Sequence, residues 1–164
     1  MQFAQMKKTY ISILFLIILF SAIYGFSTMP KNINKTYTGI AYKENDNSFQ
    51  QKVIVKLQGV YNKKSKVFQG KLFINDLEYT NCTLSSLTTW ICYIDGNRYL
   101  MGQFYSDEDL QQISFLVQNE ELYKNFSNEN IGSDRLIISA PAAYRAEAIE
   151  LNNKLKQYGA IDQP

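Results

Sequence analysis

From Thr36 onward apolar and polar residues alternate with a period of two, the pattern of strands that bury one face. TYTGIAYK (36–43) predicts a first strand, and ENDNS ends it with turn-forming residues. Val53, Val55 and Leu57 then share one face of the next strand, with Lys52, Lys56 and Gln58 on the other. NKKS (62–65) turns the chain into VFQGKLFI, where Phe68, Gly70, Leu72 and Ile74 fall together. Asn75-Asp76 makes another turn, EYTNCTL and TTWICYI flank SSL, and Asp95-Gly96 is a tight hairpin signal before RYLMGQFY. Gly70 and Gly102 each interrupt an aromatic strand, which marks a bulge or sharp bend. Connections this short join antiparallel neighbours.

Two stretches are less regular. Ser106–Val117 fits a capping box at Ser106–Asp109 and so a helix, but the alternation of Ile113, Phe115 and Val117 favours a strand. Residues 120–135 are polar and turn-rich, and no element is assigned there. LIIS follows as a last strand. SAPAAYRAEAIELNNKLKQYG predicts a helix over 140–158, with Ser139 as N-cap, Pro141 in the first turn and Gly159 as C-cap. Its apolar stripe is Tyr144, Ala148, Leu151, Leu155 and Tyr158, suited to covering a sheet.

Ahead of this body lies a different pattern. Tyr10–Phe26 runs for 17 residues without a charge, preceded by Lys7 and Lys8. That length sits at the short end of a bilayer-spanning helix. A transmembrane signal anchor is the favoured reading. Small residues at Gly25 and Ser27 also allow a signal peptide cleaved near Ser27. The lysines orient residues 1–9 as a cytoplasmic tail and the bulk of the chain outside, although Lys31 and Lys35 offset that bias. The expected plan is an anchor at 10–26, a spacer at 27–35, an extracytoplasmic β-rich domain at 36–159 and a tail at 160–164. The expected fold is α+β: an N-terminal transmembrane helix, an antiparallel β-meander sheet or partial barrel of about six to eight strands, and one C-terminal amphipathic helix.

Composition narrows the chemistry. The 164 residues include no His, which removes His-based triads, imidazole metal sites and His pH switches. Beyond the apolar run 15 basic residues stand against 15 acidic ones, and that neutrality argues against a nucleic-acid groove. Lys outnumbers Arg 14 to 3, a bias read as AT-rich coding. No nucleophile elbow, SxxK, P-loop or dinucleotide glycine pattern occurs, so no catalytic residue, cofactor or metal site is assigned. Asp107, Glu108 and Asp109 lack EF-hand spacing and read as a solvated hairpin tip. Lys63, Lys64 and Lys66 read as a wet turn, with contact to anionic lipid or cell-wall polymer as the functional alternative.

Three aromatic residues and two cysteines stand out. Trp90, Tyr93 and Tyr99 are candidates for a binding surface, because such rings offer apolar area with a polar tip; filling the core is the competing role. Cys82 and Cys92 flank two strand ends and a turn. If the loop spans Ser85–Thr89, Leu84 faces Trp90, and Cys82 must face Cys92 because both pairs share one midpoint. Facing residues of a non-hydrogen-bonded pair lie about 4.5 Å apart, within bridging range, so a disulfide is expected.

The stretches TYTGIAYK and FQGKLFIND and the ending SAPAAYRAEAIELNNKLK, behind an apolar run, resemble small membrane-anchored extracytoplasmic proteins of low-GC Gram-positive bacteria. The resemblance implies a place in the cell membrane and no activity. The expected function is a non-catalytic binding or accessory domain. Its partners would be the lipid bilayer through residues 10–26 and a protein or cell-wall polymer. An envelope-polymer hydrolase using carboxylates, or a small subunit of a membrane protein complex, are the alternatives.

Overall fold

In the computed structural model the alternation seen in the sequence becomes an eight-stranded closed barrel. The described residues are 15–17, 19, 29–86, 89–132 and 134–161. The strands are β1 (Lys31–Lys43), β2 (Gln50–Asn62), β3 (Val67–Ile74), β4 (Leu77–Ser85), β5 (Thr89–Ile94), β6 (Asn97–Ser106), β7 (Ile113–Val117) and β8 (Leu136–Ala140). Each pairs antiparallel with the next, and β8 closes on β1 through Ile40↔Ser139 to Lys43↔Leu136. Closure removes the free edges that an open meander would leave. Residues 31–35, expected as spacer, belong to β1, because Lys31–Lys35 extend the ladder against Leu57–Tyr61 of β2.

The inward residues fill the lumen. Val53, Val55, Leu57, Phe68, Leu72, Ile74, Leu84, Trp90, Met101, Phe104 and Phe115 are all buried in one core cluster. Two glycines bend the wall where the sequence suggested. Gly70 (φ 155°) and Gly102 (φ 149°) have backbones that L side chains rarely adopt, and a Cβ on either would collide with the neighbouring strand's carbonyl. Register shifts follow beside them, between Gly70 and Leu72 on β3 and across β5–β6 beside Trp90. Such bends let short twisted strands curl into a closed barrel. Asp95 (φ 50°) and Gly96 (φ 79°) form the expected tight hairpin.

Two helices complete this unit. α1 (Glu120–Ser127) occupies the stretch left without an element. Asn119 caps it by accepting the Leu122 N–H at 2.9 Å, Glu120 and Glu121 complement the dipole, and Asn128 ends it in the left-handed region. Leu122, Tyr123 and Phe126 turn into the barrel core. α2 (Arg145–Ile161) starts later and runs further than the expected 140–158. Ser139 is not its N-cap: the residue lies buried in β8, and its Oγ is 3.1 Å from Ser114 Oγ. Pro141, joined to Ala140 by a cis peptide bond, precedes the helix by several residues. Glu147 instead reaches back to accept the Ala143 N–H at 2.7 Å.

Ala148, Leu151 and Leu155 of the expected stripe are buried against the outer wall, while Tyr144 and Tyr158 at its ends are exposed. This cover explains why β7 and β8 are buried on both faces along their whole length, Ser114 and Ser139 included. The interface holds a polar seam in which Ser114 donates to Asn152 Oδ1 at 2.9 Å and its Oγ lies 3.1 Å from Ser139 Oγ. A satisfied seam of this kind fixes the helix's register on the wall.

The chain divides into two compact units, Met1–Pro30 and Lys31–Pro164. In the first, Phe15, Leu16, Ile17 and Leu19 are helical with exposed side chains. Most of the expected anchor at 10–26 lies outside the described residues. Among the described residues no helix is long and apolar enough to cross a membrane.

Candidate functional site

With a filled lumen, what the barrel offers is its ends and outer wall. Strand direction sorts the connections. The start of β1, turn 63–66 and loop 107–112 gather at one end, called proximal here because β1 begins there. Connections 44–49, 75–76, 95–96 and 118–135 gather at the distal end.

Loop 107–112 closes the proximal end. Leu110 (φ 52°) is fully buried in the barrel core, so the loop is a plug as well as a charged tip. Its backbone carbonyls are the acceptors. Tyr37 donates to Leu110 O at 2.6 Å, Tyr61 to Glu108 O at 3.0 Å, and Lys35 Nζ to Asp109 O and Leu110 O at 2.6 and 3.0 Å. Burial, aided by the nearby carboxylates, pushes the Tyr61 hydroxyl up to about 12 and Tyr37 higher still. Both phenols therefore stay protonated as donors.

The acidic side chains of this loop face solvent, as expected, but not alone. Lys63 of the β2–β3 turn lies 3.0 Å from Asp109 and 3.6 Å from Glu108. Its hydrogen bond to Asp109 holds that carboxyl below its ordinary range and raises the lysine. Asp107 Oδ1 accepts the Gln111 N–H at 2.6 Å. Between loop and helix opens a cleft of about 530 Å³, lined by Lys66, Ser106, the three acids, Gln111 and Tyr158. Among the described residues no group of three acids or cysteines has the geometry to hold a metal ion.

The three candidate aromatic residues do not make one surface. Trp90 is fully buried, edge-on to Phe115 with ring centres 4.9 Å apart, and its Nε1 points at Cys92 Sγ at 3.2 Å. It is core, because its strand face is the inward one. Tyr93 lies on the outer face opposite Arg98, whereas Tyr99 pairs with Cys92 and shares that residue's face. Both are about 40% exposed, with Tyr93 at 40% and Tyr99 at 41%. The disulfide is present: Cys82 faces Cys92 with Leu84 facing Trp90, and the Cα atoms are 4.1 Å apart. The register is the expected one, with Ser85 pairing Thr89 as well.

The distal end is sealed by side chains. Leu122, Tyr123 and Phe126 of α1 enter the core, and Lys43, 5% exposed, lies beneath them. Its Nζ meets Glu129 Oε2 at 2.6 Å and lies 5.1 Å from the Phe49 ring centre and 5.7 Å from that of Tyr123. The bond to Glu129 raises the lysine, so it stays charged. The sequence pattern gave no sign of this arrangement, since its members come from three separate segments. No protein-family model, curated protein or solved structure matches the chain.

Proposed function

We propose that this chain is a membrane-anchored, extracytoplasmic, non-catalytic binding or accessory module, held by residues 10–26 and presenting the barrel outside the cytoplasmic membrane. The observation that carries the reading is the Cys82–Cys92 disulfide, buried within the barrel. Disulfides of this structural kind persist in oxidising compartments and are rare in the cytosol. The apolar run behind Lys7 and Lys8 supports the same location. The resemblance to Gram-positive membrane-anchored proteins agrees with it.

A binding role fits a barrel whose interior is occupied by its own side chains, so that a protein or cell-wall polymer would meet the ends or the outer wall. The hydrolase alternative needs a carboxyl kept protonated as general acid. In the proximal cleft Asp109 is shifted the opposite way by Lys63. Protease added to intact protoplasts should digest the barrel while sparing cytoplasmic proteins. Protection of residues beyond Lys31 until lysis would overturn the location. Crosslinking from native membranes followed by pull-down tests the binding role, and recovery of the chain alone would overturn it.

A further inference from the structure

The two barrel ends differ in charge as well as in closure. The distal connections hold eight acidic side chains and two basic ones. The acids are Glu44, Asp46, Asp76 and Asp95 in the hairpins and Glu120, Glu121, Glu129 and Asp134 around α1; the bases are Lys124 and Arg135. Counting the adjacent strand residues Lys43, Lys52, Glu78 and Arg98, and Arg145, whose guanidinium donates to the carbonyls of Lys43, Glu44 and Asp46, still leaves nine acids to six bases. At the proximal end Lys31, Lys35, Lys63, Lys64 and Lys66 stand against Asp107, Glu108 and Asp109. Lys63 already spans two of those acids. The barrel is therefore positive where β1 begins and negative at the other end. A barrel of such strands is roughly 20–25 Å tall, more than twice the ~8 Å screening length at physiological salt, so the distal acids do not cancel the proximal lysines.

The start of β1 at Lys31 makes this polarity matter. From Phe26, the last residue of the apolar run, to Lys31 is five peptide steps. At ~3.6 Å each they cannot exceed about 18 Å. We infer that the proximal end seats on anionic lipid headgroups, with Lys31, Lys64 and their neighbours against the phosphates and the acidic distal end turned away. This inference rests on the anchor reading and deepens it. Each lysine near an anionic surface binds weakly, so the effect is cooperative among the group and sensitive to salt.

The test uses the full chain reconstituted into vesicles of zwitterionic lipid, or of the same lipid with about one-third phosphatidylglycerol. A membrane-impermeant amine reagent is applied and modification is read lysine by lysine by mass spectrometry. Lys31 and Lys64 should react roughly fivefold more slowly in the anionic vesicles and recover in high salt. Lys52 and Lys124, exposed toward the distal end, should be unchanged and serve as internal controls. In the double variant Lys31→Glu, Lys64→Glu, the remaining Lys35 and Lys66 should lose their lipid-dependent protection. Retention of the chain in salt-washed vesicles with equal labelling of Lys31 and Lys64 in both lipids would overturn the seating alone. Release of the chain by the salt wash would overturn the anchor reading, and the seating with it.

Discussion

The two ends of the barrel solve one problem with different chemistry. Each must shut a tube of apolar side chains from water while the backbone there still finds hydrogen-bond partners. At the proximal end a short loop lies across the opening and inserts one apolar side chain, Leu110, while Tyr37, Tyr61 and Lys35 satisfy its carbonyls. At the distal end α1 satisfies most of its own backbone and inserts three side chains, Leu122, Tyr123 and Phe126. A loop plug depends on polar contacts reaching it from the wall. A helical plug depends on packing. The helix therefore carries its own acidic residues outward, whereas the loop's acids are drawn toward Lys63.

Truncating the two plugs gives the largest effects and tests their equivalence. Leu122→Ala and Leu110→Ala each remove a fully buried side chain and should each cost about 2–5 kcal/mol in urea unfolding, followed by Trp90 fluorescence. A loss below about 0.5 kcal/mol at either position would show that end to be open in solution.

Reducing the disulfide should act on neither end in particular, since it ties β4 to β5 across the wall. Its sequence separation of 10 residues corresponds to about 3 kcal/mol by loop entropy, lost on reduction or in Cys82→Ala, Cys92→Ala. Trp90 fluorescence should rise on reduction, because its indole N–H lies on Cys92 Sγ. Unchanged emission after complete reduction would break the link between the indole and the bridge.

Tyr37→Phe sharpens the contrast at smaller scale. It keeps the ring and removes the buried bond to Leu110 O, so about 1–2 kcal/mol should be lost, confined to the proximal plug. Hydrogen exchange should quicken at residues 107–112 and stay unchanged in α1. Equal quickening at both ends would mean that the two closures are not independent.

The smallest effect is electrostatic. Pairing with Lys63 lowers Asp109 relative to the unfolded chain, so its stabilisation is present above the ordinary Asp value of about 4 and fades as pH falls through the lower folded value. Lys63→Met should flatten that acid limb and leave stability at pH 7 almost unchanged, because both groups are exposed. An acid limb identical to that of the unsubstituted chain would show that the pair does not form in solution.

Most strands were legible because period-two alternation survives wherever one face meets water: β2, β3 and β5 show it plainly. The cysteine pairing was legible for a related reason, since hairpin register follows from loop position alone. α1 was missed although Asn119, Glu120 and Glu121 start it well, because three buried residues in eight give too weak a period against polar flanks. The late start of α2 was hidden by Ser139 and Pro141, which suit a helix start and were claimed by β8 and its cis turn. Trp90 looked as suited to a groove as to a core, and only the register of its strand sent it inward.

By itself the sequence determined the antiparallel meander, its hairpins, the facing cysteines and the positive and negative stretches along the chain, all of which depend on residues near one another. Tertiary structure decided the closure of β8 on β1, the burial of Leu110, and the gathering of lysines at one end and acids at the other. Those depend on contacts between segments about 70–100 residues apart, such as Tyr37 with Leu110 and Ile40 with Ser139. No local spacing encodes such contacts, because they form only when the whole sheet twists far enough to meet its own first strand.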